Sequence, residues 1–149
     1  MTLDPKTSPA WDSIHVGDEL PAFELPLTAS VIVAGAIASR DFMPVHHDHA
    51  YAKAQGAPDI FMNILTTNGY VARYVTDWAG PEAMVKKISI RLGAPALPGM
   101  TMRFTGSVVR AEREDSDGLV EVELRGTTEI GDHVTGSVLL TLPVAGARA

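Results

Sequence analysis

The stretch NILTTNGYVARYVTDWAG, residues 63–80, decides the fold. Apolar residues recur along it at the three- and four-residue spacing of one buried helix face: Ile64, Leu65, Val71, Ala72, Val75 and Trp78. Asp59 and Asn63 are both of a type that caps a helix N-terminus, and Gly80-Pro81 ends the helix. The pattern predicts one long helix.

The chain after this helix alternates apolar and polar residues, as strands with one buried face do. The alternating segments are MTMRFTGSVVRAE, LVEVELRGTTEI and HVTGSVLLTLP, and they follow a further strand in MVKKISIRLGAP. REDSDG predicts a polar turn, and Gly131-Asp132 predicts a two-residue hairpin turn. One helix followed by four or five antiparallel strands must bury the helix against one sheet face. The predicted fold class is therefore α+β, with a curved sheet wrapped around a central helix.

The chain before the helix is less regular. Residues 1–20 are expected to form a loose lead-in, 21–143 a single domain, and 144–149 a frayed tail. PAFEL predicts a short strand, whereas SVIVAGAIAS, residues 30–39, is compatible with a strand or a helix. The small residues of that segment favour tight core packing over the wall of a pocket.

Composition excludes several classes of protein. The 149 residues contain 46% hydrophobic and 20% charged residues, which is typical of one globular domain. Cysteine is absent, which excludes disulfides and thiolate metal sites. With a net charge of −6 and no basic cluster longer than Lys86-Lys87, nucleic-acid binding is not expected. No apolar run reaches membrane-span length and the N-terminus has no signal-peptide pattern, so a cytoplasmic protein is expected.

The stretch RDFMPVHHDHAYA, residues 40–52, concentrates the titratable groups: Asp41, His46, His47, Asp48 and His49. Three interpretations are open. A metal site is one, but adjacent side chains diverge in most backbone conformations and the distant histidines are few, so no metal is expected. A polar surface loop is the second. The third is an acid/base pair.

The acid/base interpretation involves two of these residues. Asp41 and His46 are five positions apart, with a bend at Pro44 that can turn both side chains to one side. A carboxylate beside an imidazole can share one water molecule. His47 would then point the opposite way.

The same stretch resembles the hydratase motif of the MaoC-like (R)-specific enoyl-CoA hydratases, Asp-x-Asn-Pro-x-His-x-Asp. Asp41, Pro44, His46 and Asp48 match it, whereas Met43 replaces the asparagine. The order of elements agrees across nearly the whole chain, and GDHVTGSVLL is similar to the family's final strands. The resemblance implies a hot-dog fold, in which the sheet wraps around the helix at 63–78.

The resemblance also implies the chemistry. Asp41 and His46 would be the catalytic pair, activating a water that adds to the β-carbon of a trans-2-enoyl-CoA thioester. In the family a His-Gly pair at the start of the central helix supplies a main-chain N–H to the thioester oxygen. Met62-Asn63 occupies that place here, so Asn63 is the expected oxyanion donor, through its main chain. These departures fit a bulky substrate or a loss of activity.

Two longer stretches, at 40–65 and 73–81, resemble the steroid-degrading members of this family. The likeness implies a steroid side-chain enoyl-CoA substrate from cholesterol degradation and no cofactor. It also implies a catalytic subunit paired with a second, larger MaoC-like subunit, two plus two. Lys86, Lys87, Arg91 and Arg103 are available for CoA phosphates, and none is assigned. A hot-dog acyl-CoA thioesterase and a non-catalytic acyl-CoA-binding scaffold are the alternatives.

Overall fold

The computed structural model describes residues 7–114 and 117–145. Its helices and strands, in chain order, are β1 (Glu19–Pro26), α1 (Ala29–Ala38), α2 (His49–Ala54), α3 (Ile64–Ala79), β2 (Met84–Leu92), β3 (Thr101–Glu114), β4 (Asp117–Thr128) and β5 (Gly131–Pro143). Short 3₁₀ helices occupy Trp11–Ser13 and Pro44–His46. The five strands form one sheet in the order β1-β3-β4-β5-β2, with every pairing antiparallel. The predicted α+β class is confirmed.

The core lies between α3 and the concave face of the sheet. On α3 the buried side chains are Thr67, Val71, Tyr74, Val75 and Ala79. Tyr74 stacks on Phe104 of β3 with a centroid distance of 5.7 Å. Burying a large apolar side chain contributes about 1.5–3 kcal/mol, so this layer holds the helix firmly on the sheet. The N-terminus of α3 is thereby fixed relative to the sheet.

The prediction of a buried helix face is wrong for two of its residues. Ile64 and Leu65, which were expected in the core, are 48% and 49% exposed. The buried series starts at Thr67, and the side chain of Leu65 lies on the side of α3 that faces α1 rather than the sheet. There it lines a groove between α1 and α3.

The segment SVIVAGAIAS lies almost entirely within α1. Thr28 caps this helix, because its hydroxyl accepts a hydrogen bond from the N–H of Val31 at 3.1 Å. Ala36 is fully buried, and a Cβ on Gly35 would collide with Thr66 of α3. Tight packing is therefore confirmed for this side of α1. The opposite side, with Ala34 and Ala38, forms a wall of the groove.

Two further predictions concern the connections and the end of the chain. Thr128 pairs with Gly131, so the β4–β5 turn consists of Glu129 and Ile130, and the prediction of a turn at Gly131-Asp132 is wrong. The tip of the expected REDSDG turn falls at 115–116, outside the described residues.

Val144, expected in the frayed tail, is buried, and the next residue donates its N–H to Asp12. The division into lead-in, domain and tail stays a prediction. No helix in the described ranges is long and apolar enough to cross a membrane.

Candidate active site

The position of Asp41 follows from the way α1 ends. Arg40 adopts a left-handed backbone, with φ of 58°, which is uncommon for a residue other than glycine. Its N–H donates to the carbonyl of Ile37, and the N–H of Asp41 donates to the carbonyl of Ala36 at 2.9 Å. These two bonds form a Schellman motif, which satisfies the last carbonyls of the helix. The chain reverses there and Asp41 lies directly beyond the helix end.

His46 ends the 3₁₀ helix that Pro44 begins, and it is 93% buried, being only 7% exposed. Its Nδ1 lies 2.7 Å from the carbonyl oxygen of Phe61, and the two rings meet edge to face at 4.9 Å. A carbonyl oxygen can only accept, so Nδ1 carries the hydrogen. In the neutral ring the lone pair is then on Nε2. The backbone therefore fixes which nitrogen can accept a proton.

That lone pair faces Asp41. The distance from His46 Nε2 to Asp41 Oδ2 is 3.4 Å, and the Asp41 side chain remains 26% exposed at the surface. The sequence-based expectation that these two groups converge agrees with this geometry. Two proton acceptors so close together can both accept hydrogen bonds from one water molecule.

Asn63 organises the carboxylate. Its Nδ2 donates to Asp41 Oδ2 and to Ser39 Oγ, each at 2.9 Å. The Asn63 hydrogen bond lowers the pKa of the Asp41 carboxyl below its ordinary value, and the N–H of Met43 acts in the same direction against the effect of burial. Asp41 is therefore held in its ionised form.

Asn63 is also the N-cap of α3, since its Oδ1 accepts the N–H of Thr66 at 3.0 Å. The preceding N–H groups of Phe61 and Met62 donate to the carbonyls of Val45 and Ala96. Within the described residues, no acceptor takes the main-chain N–H of Asn63. It lies at the positive end of the helix dipole, where negative charge is stabilised.

The other titratable residues of the motif have different partners. His47 Nε2 contacts the carbonyl of Phe42 at 3.2 Å, and His49 Nδ1 lies 2.7 Å from Asp59. Asp48 caps α2 by accepting the N–H of Tyr51. Across 7–114 and 117–145, no group of three or more histidine and acidic side chains could hold a metal ion. Asp59, one of the two candidate caps of α3, does not cap it.

Sequence reasoning missed one buried contact and gave less weight to a second feature, a pocket wall formed by SVIVAGAIAS. His133 is buried between Thr67 Oγ1, 2.9 Å from its Nε2, and the carbonyl of Ala94, 2.7 Å from its Nδ1. A lone histidine on a strand gives no signal of such contacts. The second feature is the groove of about 560 Å³ between α1 and α3, which Ser39 also lines. Both depend on which elements meet in space.

The fold and the carboxylate–imidazole pair define a protein of the hot-dog class. The sequence pattern of the family described as "MaoC like domain" matches residues 14–130. The chain belongs to this family.

Named proteins are similar to this chain over most of its length. The 3-oxo-4,17-pregnadiene-20-carboxyl-CoA hydratase beta subunit of Mycobacterium tuberculosis is 48% identical over 127 residues, covering 85% of this chain and 95% of the relative. A chain in the crystal structure of the ChsH1–ChsH2 complex of M. tuberculosis superposes with a TM-score of 0.80 and 47% identity, covering 86% of this chain and 98% of that one. The R-hydratase PhaJ1 of Pseudomonas aeruginosa shares the fold, with a TM-score of 0.82 at 17% identity, covering 92% and 87%.

Proposed function

We propose that this protein is an enoyl-CoA hydratase that adds water to a trans-2-enoyl-CoA thioester, with Asp41 and His46 as its catalytic pair. The observation that carries the proposal is the 3.4 Å approach of His46 Nε2 to Asp41 Oδ2, with the Phe61 carbonyl holding the hydrogen on Nδ1 so that the lone pair is on Nε2. Both groups are acceptors, so each takes one hydrogen of the same water molecule. That arrangement orients the water oxygen for attack.

The addition conserves atoms and charge. The water oxygen bonds to the β-carbon of the thioester while one of its protons passes to His46 Nε2. The electrons of the carbon–carbon double bond move onto the α-carbon and the thioester oxygen. His46 then returns the proton to the α-carbon, which restores the neutral imidazole. Asp41 stays ionised throughout and stabilises the positive charge on His46 in the intermediate.

The developing negative charge on the thioester oxygen needs donors that are fixed in advance. We assign this role to the main-chain N–H of Asn63, which has no acceptor in the described part of the chain. Its side chain is already engaged by Asp41, Ser39 and Thr66. The N–H is thus held rigidly at the start of α3, where the helix dipole adds to its effect.

The relatives support a narrower assignment. One carries the name of a steroid carboxyl-CoA hydratase beta subunit, and another forms part of a two-component complex. We therefore propose a steroid side-chain enoyl-CoA from cholesterol degradation as the substrate, and a second, larger MaoC-like subunit as the partner, two plus two. The reaction needs no cofactor, and we place it in the cytoplasm, where CoA thioesters are processed.

The thioesterase alternative has less support, because such enzymes lack the Asp-x4-His arrangement of Asp41 and His46. Asp59, the acid just before α3, lies 2.7 Å from Nδ1 of His49. Hot-dog thioesterases usually place an acid on or near the central helix, but the one acid of α3 is Asp77. It lies near the C-terminal end, and its Oδ2 is 3.3 Å from Nε of Arg73. The scaffold alternative would be favoured by the loss of a catalytic residue, but Asp41 and His46 are both present and lie 3.4 Å apart.

The test follows both possible reactions on one sample. The full-length chain, with any subunit that remains bound to it, is mixed with 3-oxo-4,17-pregnadiene-20-carboxyl-CoA or with crotonyl-CoA. Hydration removes the absorbance of the double bond that is conjugated with the thioester, and it releases no thiol. This is the result we expect. Release of free CoA with the double bond intact would establish a thioesterase instead, and binding without either change would favour the scaffold.

A further inference from the structure

We propose that the groove between α1 and α3 holds the fused ring system of the acyl group, and that Gly69 sets the size of ring system that is admitted. This inference rests on the proposed function, because it assigns the acyl part of the same substrate. The groove has a volume of about 560 Å³ and lining that is mostly apolar. Pockets that bind small ligands are commonly of this size and composition.

The groove starts beside the catalytic pair. Ser39 lines it and shares the Asn63 amide with Asp41. Farther along, Gly35 of α1 meets Thr66 of α3, so the two helices run in opposite directions. The groove continues to Arg73, eight residues after Leu65, which corresponds to about 12 Å of helix. This distance suits a rigid acyl group of several fused rings with its thioester at Asp41.

Two glycines line the groove, and packing within the chain explains only one of them. Gly35 is required by close packing, since any Cβ would collide with Thr66. Gly69 has no atom within 4 Å of a Cβ and no positive φ. A glycine inside a helix costs about 1 kcal/mol relative to alanine, and neither the backbone nor the packing of this chain requires it. A ligand lying across α3 at this point explains why a side chain is absent at position 69.

The far end of the groove carries hydrogen-bond donors. The Tyr70 hydroxyl has no partner among the residues that the structure describes. Arg73 uses Nε for Asp77 and lies over the ring of Phe23 at 5.0 Å, which fixes its guanidinium at the mouth. The groove is therefore apolar along its length and has hydrogen-bond donors at its far end. It matches a long apolar acyl group that carries one hydrogen-bond acceptor, such as a ring ketone, at the end opposite the thioester.

The test adds bulk to each wall of the groove. Gly69→Leu and Ala34→Leu fill it from α3 and from α1, while Ala29→Leu adds the same bulk to an exposed position of α1 outside it. For each protein, kcat/KM is measured with 3-oxo-4,17-pregnadiene-20-carboxyl-CoA and with crotonyl-CoA. We expect the ratio of steroid to short-chain kcat/KM to fall about tenfold or more in the two groove variants, a size typical of steric discrimination in a pocket. The ratio should not change in Ala29→Leu.

Equilibrium binding of the steroid thioester is measured on the same proteins, so that the groove is tested even without turnover. Weaker binding by Gly69→Leu and Ala34→Leu supports the assignment whether or not hydration occurs. An unchanged ratio together with unchanged binding overturns it, while hydration by the parent protein would leave the proposed function standing. Loss of a bound second subunit from both groove variants, with steroid binding retained, would also overturn it, because the groove would then be a subunit contact.

Discussion

Two histidines in this protein are anchored alike and face different partners. His46 and His133 each place Nδ1 2.7 Å from a backbone carbonyl, so in the neutral ring each presents its Nε2 lone pair. At His46 this nitrogen faces the partly exposed carboxylate of Asp41. At His133 it faces the buried hydroxyl of Thr67, 2.9 Å away.

The difference teaches that the surroundings of Nε2 decide the role of the imidazole. Burial lowers the pKa of His133 below its ordinary value, against the opposing effect of the Ala94 carbonyl. A neutral His133 therefore accepts the Thr67 hydroxyl hydrogen and joins β5 to α3. His46 instead lies beside the partly exposed carboxylate of Asp41, and in the proposed reaction its Nε2 takes up a proton and returns it.

The largest expected effect separates the two histidines by kinetics and stability. His46→Ala should lower kcat for enoyl-CoA hydration by about 10²–10⁴-fold, since it removes the proton acceptor. His133→Leu should lower the free energy of unfolding by about 1–3 kcal/mol, because the Ala94 carbonyl loses its partner and the Thr67 hydroxyl keeps only the Asn63 carbonyl. Denaturant titration and steady-state kinetics on both variants make the comparison.

A matched control for this experiment is His47→Ala, which removes an exposed imidazole next to His46. Its kcat should stay close to that of the parent protein. If His133→Leu loses as much kcat as His46→Ala while remaining folded, the assigned difference between the two histidines is wrong.

A smaller effect is expected in the pH profile. Asn63→Asp keeps an N-cap on α3 but removes the amide donor and adds a negative charge beside Asp41. Both changes raise the pKa of Asp41. Because the rate is lost as pH falls through that pKa, the acid limb of kcat should move to higher pH.

Asn63→Ser serves as the control for this profile, since serine also caps a helix and adds no charge. It should move the acid limb in the same direction by less. An acid limb that is identical in all three proteins would show that the Asn63 amide does not hold Asp41 in its ionised form.

Much of the fold could be predicted because it follows from local pattern. The long helix, the alternating strands and the Asn63 cap all depend on residues close together in the sequence. The predicted pairing of Asp41 with His46 also rests on one short motif. The role of SVIVAGAIAS stayed open because an apolar run of this length suits a strand or a helix.

Other features depend on contacts between distant segments. Phe61 selects the tautomer of His46 from fifteen residues away, and Thr67 meets His133 from sixty-six. Ile64 and Leu65 match the buried period of the helix, yet both are exposed, and Leu65 lines the groove between α1 and α3. Periodicity identifies a helix face, but only the packed elements show how much of that face is covered.

The most direct test of the central claim compares two carboxylates of the same motif. Asp41→Asn removes the charged acceptor beside His46, whereas Asp48→Asn replaces one good cap of α2 by another. With the enoyl-CoA that the parent protein hydrates, the initial rate should fall by at least about 10²-fold in Asp41→Asn and stay within a few fold in Asp48→Asn. Equal rates in the two folded variants would contradict the claim that Asp41 and His46 act on one water molecule.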